Sequence, residues 1–258
     1  MKAKKNLGQN FLVDNNIINK IVDEITASSE DLIIEIGPGR GALTKKLKYK
    51  NANLICYELD QDLKPLLAEL EDNKTKIIYQ DILKANIIED IRNIKYSNIF
   101  LVGNLPYYIT TPIIEHLINS NLQFAKLTIM VQKEVADRFL AKPGTKEYGF
   151  FTVLLDYYFN IKRVSNVSKN SFNPVPKVDS TVLSLLPKEK IINVDRIKYF
   201  GFIKECFSQK RKTLKNNLKN YNWNDISMIL NKYGYGDSVR AEELSQEIFI
   251  EIFQKLFE

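Results

Sequence analysis

The chain has 258 residues, of which 45% are hydrophobic and 26% charged, with a formal net charge of +6. This composition excludes a mainly disordered, collagen-like or coiled-coil protein, and no apolar run approaches the ~20 residues needed to span a bilayer. Two cysteines and one histidine, with no CxxC pair, provide neither a disulfide framework nor a zinc cluster, so we expect no bound metal and a reducing, cytoplasmic location.

Short apolar runs rich in β-branched residues alternate with longer amphipathic segments along most of the chain. This alternation predicts βαβ units and a mainly parallel sheet. Helices are predicted at 17–25, at 42–50 directly after a glycine-rich turn, and from residue 150 over FFTVLLDYYF. The later runs NIKRVSNVSKNSF and STVLSLLP, separated by the proline-containing NPVPKVD, predict an antiparallel pair that completes the sheet. The other strands are predicted at 32–36, 54–59, 77–81, 98–104 and 127–133.

From about residue 190 the pattern is purely helical, so we predict a larger domain over 1–188 and a small all-helical domain over 189–258. Residues 188–220 hold ten Lys and Arg against three Asp and Glu, a net charge of +7. This density predicts a phosphate-binding surface, although an ordinary solvated helix face fits the charges equally well. The densest part contains Lys210, Arg211, Lys212, Lys215 and Lys219.

The first predicted strand runs into Gly37, Gly39 and Gly41 before a helix begins. Glycines at this spacing let the backbone turn tightly and approach a ligand beside a helix N-terminus. A dinucleotide fingerprint would place the third glycine one residue later, so the spacing favours S-adenosylmethionine over NAD. A glycine turn of purely structural use is the alternative.

Two acids end the next two predicted strands. Glu58 can accept hydrogen bonds from both ribose hydroxyls, and Asp81 can accept one from an adenine amino group. Each acid alone could instead cap a helix. The ordered set of a glycine turn and two acids is more specific, because open α/β sheets bind ligands at the carboxyl ends of their strands.

The fourth strand ends in Asn104, Leu105, Pro106 and Tyr107. This sequence has the form of the [Asp/Asn/Ser]-Pro-Pro-aromatic tetrapeptide of methyltransferases that act on exocyclic amino groups. Adenine N6 is a poor nucleophile, so such a site must bind the amino group in a geometry that resembles the transition state. The Asn104 oxygen and a backbone carbonyl near Pro106 can accept its two N–H groups, and Tyr107 can stack on the base. A proline-containing strand exit with a packed aromatic residue is the alternative.

The motifs together resemble the KsgA/RsmA family, the adenine N6,N6-dimethyltransferases of small-subunit ribosomal RNA. The resemblance implies a Rossmann-like, class I S-adenosylmethionine-dependent methyltransferase fold with a seven-stranded, mostly parallel sheet. The related Erm methyltransferases of large-subunit RNA share the core but usually read NIPY where this chain reads NLPY. The residues that carry the resemblance are GQNFL (8–12), EIGPGRGALT (35–44), YELDQDL (57–63), QDIL (80–83), NLPYYITTPII (104–114), FNPVPKVDS (172–180), KRKTLKNNL (210–218) and RAEELS (240–245).

The resemblance also implies which residues bind the cofactor. Asn10 and Leu12 would border the methionine end of S-adenosylmethionine, and Gly37 would lie beneath it. Glu58 would hold the ribose and Asp81 the adenine.

On the target side, the resemblance implies that Asn104 contacts both the cofactor and the target N6, that Tyr107 stacks on the base, and that Phe172 closes over its other face. The basic residues of 210–219 would bind RNA phosphates. The substrate would be two adjacent adenosines in the 3′-terminal hairpin of 16S rRNA, in the 30S subunit or its precursor. We expect a monomer with a role in small-subunit biogenesis and no membrane partner. The alternatives are an Erm-type 23S rRNA adenine N6-methyltransferase, a mainly non-catalytic 30S assembly factor and a Rossmann dehydrogenase.

Overall fold

A computed structural model describes residues 3–4, 7–106, 109–189 and 194–257. The chain divides into two compact units: Met1–Ala136 with Ile161–Pro187, and Asp137–Asn160 with Lys188–Glu258. The second division lies one residue from the predicted domain boundary, whereas Asp137–Asn160 packs with the helical unit rather than with the sheet. The assignment of functional domains stays a prediction. Over the described ranges, no helix is long and apolar enough to cross a membrane.

The first unit is built on a seven-stranded, mostly parallel sheet, as predicted. The strands are β1 (Phe11–Leu12), β2 (Leu32–Ile36), β3 (Asn53–Tyr57), β4 (Thr75–Ile78), β5 (Ile99–Asn104), β6 (Phe124–Gln132), β7 (Phe159–Val167), β8 (Phe172–Asn173) and β9 (Ser180–Pro187). Their order in the sheet is β4-β3-β2-β5-β6-β9-β7, in which β4, β3, β2, β5 and β6 run parallel to one another and β9 is antiparallel to β6. A separate two-stranded sheet pairs β1 with β8.

The strand β2 lies in the interior of this sheet, and all five of its residues are buried. It pairs with β3 on one side and β5 on the other, and both of its faces are covered. A strand that is covered on both faces has a nearly continuous apolar sequence, as LIIEI has apart from Glu35. The chain order reverses between β2 and β5, so the carboxyl ends of these two strands flank the position where open α/β sheets bind ligands.

The helices follow the predicted pattern with small shifts at their ends. For example, α1 begins two residues before the predicted 17–25 segment because the Asp14 side chain accepts hydrogen bonds from the N–H groups of Asn16 and Ile17. The helices are α1 (Asn15–Asp23), α2 (Ala42–Leu47), α3 (Lys64–Ala68), α4 (Ile87–Ile91), α5 (Thr110–Asn119), α6 (Lys133–Phe139), α7 (Phe150–Tyr158), α8 (Arg196–Cys206), α9 (Leu214–Asn217), α10 (Trp223–Lys232) and α11 (Gln246–Phe257).

The second unit has an aromatic core of its own, which explains why α7 belongs to it. The Tyr157 ring of α7 lies 5.5 Å from the Tyr199 ring of α8, and the Tyr199 ring lies 5.3 Å from the Phe253 ring of α11. Tilted and edge-on ring pairs at these distances stabilise a core beyond the area they bury. The helix α7 is therefore covered by α8 and α11 on the face that carries Tyr157.

Candidate cofactor and target site

The first unit contains a cavity with an empty volume of ≈ 1060 Å³, a figure that includes space open to solvent. It lies where β2, β3, β4 and β5 end, which is the ligand-binding edge of an open α/β sheet. The predicted site residues that line it are Asn10, Leu12, Gly37, Glu58, Asp81, Asn104, Leu105 and Pro106. The fold thus brings together residues that are up to 96 positions apart in the sequence.

The glycine turn after β2 is shaped by backbone geometry that favours glycine. Gly37, Gly39 and Gly41 all have positive φ angles, of 70°, 57° and 75°. A Cβ on Gly39 would stand 3.0 Å from the Phe11 ring, and one on Gly41 would stand 2.4 Å from Leu70 Cδ1. The backbone conformation therefore favours glycine at all three positions, and at Gly39 the Phe11 ring also leaves little room for a Cβ.

Glu58 directly follows β3, and its carboxylate is held in place. Its side chain is only 6% exposed. Its Oε2 accepts a hydrogen bond from Gly39 N–H at 3.0 Å, and its Oε1 accepts one from Asp60 N–H at 2.8 Å. Burial raises the pKa of Glu58, and these two N–H groups oppose the shift. Each carboxylate oxygen retains a lone pair that can accept from a ribose hydroxyl.

Asp81 follows β4, where it both caps a short helix and lines the cavity. Its Oδ1 accepts a hydrogen bond from Leu83 N–H at 3.0 Å and so caps the short 3₁₀ helix Ile82–Lys84. The same half-buried residue lines the cavity, and its second oxygen retains acceptor capacity. The helix cap, which was the alternative role for this acid, is therefore present. The second carboxylate oxygen can still accept a hydrogen bond from a ligand.

Glu35, on β2, is a buried acid that the predicted site did not include. It is 1% exposed and lines the cavity. Its Oε2 accepts from the Thr44 hydroxyl at 2.7 Å and from the Cys56 thiol at 3.4 Å, while its Oε1 has no hydrogen-bond partner among the described residues. Burial raises the pKa of Glu35 to about 7.

Residues 7–12, which we call the N-terminal strap, form one wall of the cavity. The Phe11 ring packs against Gly39 and lies 4.5 Å beneath the Arg40 guanidinium. The carbonyl of Asn10 accepts a hydrogen bond from Asn104 Nδ2 at 3.1 Å. The pairing of β1 with β8 fixes the carboxyl end of the strap. The strap therefore touches both the glycine turn and the end of β5.

Asn104 ends β5, and its amide orientation follows from its partner. A backbone carbonyl can only accept, so the atom facing the Asn10 carbonyl must be Nδ2. The other polar atom of the side chain, Oδ1, is an acceptor. The carbonyl of Pro106 accepts from Ile109 N–H at 3.2 Å and from the Thr110 hydroxyl at 3.1 Å, so both of its lone pairs are engaged at the start of α5.

The structure describes one of the two aromatic residues predicted to contact the target base. Tyr107 lies outside the described residues. Phe172 is 2% exposed, belongs to the core with Phe11 and Leu12, and does not line the cavity. The Phe172 backbone pairs with Leu12, and its role in closing over the base stays a prediction.

The five basic residues predicted to bind RNA are all exposed in the second unit. The Nζ of Lys210 donates to the carbonyl of Lys146, which brings the loop before α7 beside this cluster. That loop adds Lys142 and Lys146, both exposed, which the sequence pattern did not connect with 210–219. Lys215 forms an ion pair with Asp237 at 2.6 Å and therefore presents less free charge than its neighbours.

Apolar lining residues were also absent from the predicted site. Leu59 and Ile82 directly follow the two strand-end acids and line the same cavity. Such residues can cover the faces of a flat ring whose edge is bound by an acid. Their position one residue after Glu58 and Asp81 is the signal that could have identified them. Within the described ranges there is no group of three or more His, Cys, Asp or Glu that could hold a metal ion.

Comparison with known proteins agrees with this site. The whole chain, residues 1–258, matches the family described as ribosomal RNA adenine dimethylase. The chain belongs to the ribosomal RNA adenine dimethylase family. A ribosomal RNA small subunit methyltransferase A from Lactobacillus helveticus is 45% identical to this dimethylase, over 99% of this chain and 92% of the relative.

Two solved structures resemble the fold of this dimethylase. A dimethyladenosine transferase from Plasmodium falciparum has a TM-score of 0.78 and 26% identity, and the match covers 95% of this chain and 96% of that one. The 23S rRNA methyltransferase ErmE has a TM-score of 0.75 and 24% identity, covering 96% and 100% of the two chains, and shows a shared fold.

Family membership establishes the chain as an enzyme that dimethylates adenine in ribosomal RNA with S-adenosylmethionine as the methyl donor. The cavity fits this donor. It provides a glycine turn, a fixed carboxylate with free lone pairs at Glu58, and an additional acceptor at Asp81. Such a set suits a nucleoside that carries ribose hydroxyls and an adenine amino group.

Proposed function

We propose that this enzyme methylates N6 of two adjacent adenosines in the 3′-terminal hairpin of 16S rRNA, in the 30S subunit or its precursor, and gives N6,N6-dimethyladenosine. Asn104 carries the proposal. Its side chain lines the same cavity as Glu58 and Asp81, and its Oδ1 remains an acceptor after Nδ2 is fixed by the strap. An acceptor at that position suits an amino group better than a hydroxyl or a carbon nucleophile.

In this proposal the first unit holds the cofactor through its strand ends. Glu58 accepts from the ribose hydroxyls and Asp81 from the adenine amino group. Asn10 and Leu12 border the methionine end, and Gly37 leaves space beneath it. Because Glu58 is already fixed by two backbone N–H groups, little side-chain freedom is lost when the ribose binds.

The target N6 is held by two acceptors. Asn104 Oδ1 accepts one N–H group, and we assign the second to the carbonyl of Leu105, because the Pro106 carbonyl already accepts twice at the start of α5. Two acceptors favour a pyramidal nitrogen whose lone pair points at the methyl group. Tyr107 supplies stacking on the base, and Phe172 supports the strap from the core.

S-adenosylmethionine, when bound, supplies a methyl group made electrophilic by the adjacent sulfonium. The protein residues orient N6 toward it, which converts a bimolecular reaction into a reaction between neighbours. After each transfer the nitrogen carries a positive charge and loses a proton to water with ease, so no strong base is needed. Asn104 and Leu105 can serve both transfers to one adenosine, since the first leaves one N–H group.

The second unit binds RNA phosphates in this proposal. Lys210, Arg211, Lys212, Lys215 and Lys219 supply positive charge, and Lys142 and Lys146 extend the surface from the neighbouring loop. Phosphate contacts position an RNA without reading its sequence. The target adenosine must also leave its stack, which costs a few kcal/mol unless it already lies in a loop.

The proposal also covers the setting of the reaction. We assign the protein to the cytoplasm, where small subunits are assembled, with a role in their biogenesis. It acts there as a monomer, since one chain supplies both the cofactor residues and the basic surface.

The test is transfer of labelled methyl groups to unmethylated 30S subunits and, in parallel, to 50S subunits, followed by nucleoside analysis. The expected result is N6,N6-dimethyladenosine on 30S subunits alone. Label on 50S subunits would overturn the substrate assignment in favour of an Erm-type activity. Cofactor binding without transfer to either subunit would overturn the catalytic proposal in favour of an assembly role.

A further inference from the structure

We propose that Asp60 is a positioning residue for cofactor binding, because it anchors the amino end of the N-terminal strap as a wall of the cavity. Asp60 does not line the cavity itself. The inference rests on the proposed function, in that it takes this cavity as the cofactor site.

Asp60 joins two residues that lie more than 50 positions away in the sequence. Its side chain is 4% exposed. Its Oδ1 accepts from Lys4 Nζ at 2.6 Å, and its Oδ2 accepts from Gln9 Nε2 at 2.7 Å. The backbone N–H of Lys4 donates to Gln9 Oε1 at 2.8 Å, which closes a ring of three residues. A buried carboxylate with two side-chain donors is a strong, directional anchor.

The same anchor is tied to the proposed ribose acceptor. The backbone N–H of Asp60 donates to Glu58 Oε1 at 2.8 Å, and Asp60 Oδ1 also accepts from Asp62 N–H at 3.1 Å. The turn after β3 therefore holds Glu58 on one side and the strap on the other. Any movement of the strap relative to this turn changes the distance between two walls of the cavity.

The two ends of the strap are held by different means. Its carboxyl end is fixed by the pairing of β1 with β8 and by the contact between the Asn10 carbonyl and Asn104. Its amino end, with Gln9, is fixed by Asp60. Loss of the Asp60 anchor should therefore release residues 7–9 and weaken cofactor binding, while Asn104 keeps its orientation.

Two variants remove the anchor from opposite sides. Asp60→Asn keeps an acceptor for Asp62 N–H but removes the charge that faces Lys4. Lys4→Met removes the same ion pair from the other side, together with the pair that Lys4 forms with Asp62 at 2.6 Å, and keeps both carboxylates of the turn after β3. The dissociation constant of S-adenosylmethionine is measured without RNA, by equilibrium dialysis with labelled cofactor. We expect each variant to bind about tenfold more weakly.

The double variant shows whether the two residues act together. If Lys4 and Asp60 form one anchor, the double variant should bind about as weakly as either single variant rather than about 100-fold more weakly. In methyl transfer the KM for S-adenosylmethionine should rise about tenfold while kcat at saturation changes less than threefold, because Asn104 is unaffected. A general loss of structure would lower kcat as well.

Asp72→Asn is the matched control. Asp72 pairs with Lys48 at 2.8 Å and accepts from two backbone N–H groups, but it neither touches the strap nor lines the cavity. Its cofactor affinity should stay within twofold of the wild type. If Lys4→Met binds the cofactor as tightly as the wild type, or if the effects of the two single variants are additive, the inference is overturned. Failure to methylate 16S rRNA with weakened cofactor binding in both variants would refute the proposed function alone.

Discussion

The acids at the cofactor edge and the cations of 210–219 differ in how firmly they are held. Both oxygens of Glu58 accept backbone N–H groups, and Asp60 is buried among donors. The cations are exposed, and Lys146 and Asp237, the polar partners of Lys210 and Lys215, are exposed as well. The first arrangement suits a small ligand of fixed shape, for which preorganised groups reduce the cost of binding. The second suits RNA phosphates, whose attraction acts over several ångströms and needs no fixed geometry.

The difference also appears in protonation. Burial holds the pKa of Glu35 near 7 and raises that of Glu58. For Asp60, burial would raise the pKa, but hydrogen bonds from Lys4 and Gln9 outweigh burial and hold the pKa below its ordinary value. Acids in and beside one site thus differ in pKa because their neighbours differ. The site should respond to single side-chain changes, and the basic surface to total charge.

The largest expected effect is the loss of the Asn104 side chain. Asn104→Ala removes an acceptor that acts on the reacting amino group, so kcat should fall about 10² to 10³-fold, as for other preorganised polar contacts to a transition state. The control is Asn53→Ala, which changes a half-buried side chain at the amino end of β3 that does not line the cavity. A loss below tenfold for Asn104→Ala in single-turnover methyl transfer would contradict the proposed role.

The next effect concerns pH and Glu35. Its pKa is about 7 in the folded protein and near 4.5 in the unfolded chain. The folded state therefore binds more protons between these values, and the free energy of unfolding should fall by about 3 kcal/mol as the pH rises through this window. Glu35→Gln has no such titration. Urea unfolding at pH 5 and pH 8 measures this. Between these pH values the free energy of unfolding of Glu35→Gln should rise relative to that of the wild type. Equal changes in the two proteins would contradict the prediction.

A smaller effect is expected from reversing charge in the second unit. Changing Lys210, Arg211 and Lys212 together to Glu should weaken RNA binding about 10 to 100-fold and make the salt dependence of log K shallower by about 2 to 3. Cofactor affinity should not change. Lys255→Glu, at the end of α11, is the control. Lys215→Ala should weaken binding less than Lys212→Ala because Asp237 already pairs with Lys215. Unchanged RNA affinity in the triple variant would refute the assignment of this surface.

The smallest effects compare one glycine from each unit. Gly39→Ala places a Cβ at positive φ and 3.0 Å from the Phe11 ring, so it should destabilise the first unit by about 1 kcal/mol or more. Gly201 lies inside α8 with open space around its Cβ position. Gly201→Ala should stabilise the protein by about 0.5 to 1 kcal/mol. Thermal unfolding measures both changes in stability. A shift of Tm in the same direction for the two variants would contradict the prediction.

Much of the first unit could be predicted from the sequence because its signals are local. The strands β2 and β9 were predicted at their observed bounds, since continuous or alternating apolar runs mark buried strands. The residues Gly37, Glu58, Asp81 and Asn104 were predicted to meet because parallel strands end at one edge, and all four line one cavity. Their individual roles remain predictions.

The rest depends on contacts between distant residues, which leave no local pattern. The packing of α7 with α8 depends on Tyr157 meeting Tyr199, and a helix of similar pattern could have covered the sheet. Phe172 was predicted at the site because it stands in a motif, but its pairing with Leu12 buries it. The Asp60 anchor was not predicted because Lys4 and Gln9 lie more than 50 residues away.

The pairing of β1 with β8 has a consequence for the order of folding. Phe11 and Leu12 pair with residues about 160 positions further along the chain. A contact of such sequence separation forms late, because the chain between its ends must first be ordered. During synthesis the strap can find its partner strand only after some two-thirds of the protein has left the ribosome. A truncated or stalled chain should therefore retain the glycine turn and Glu58 but have no closed cofactor cavity.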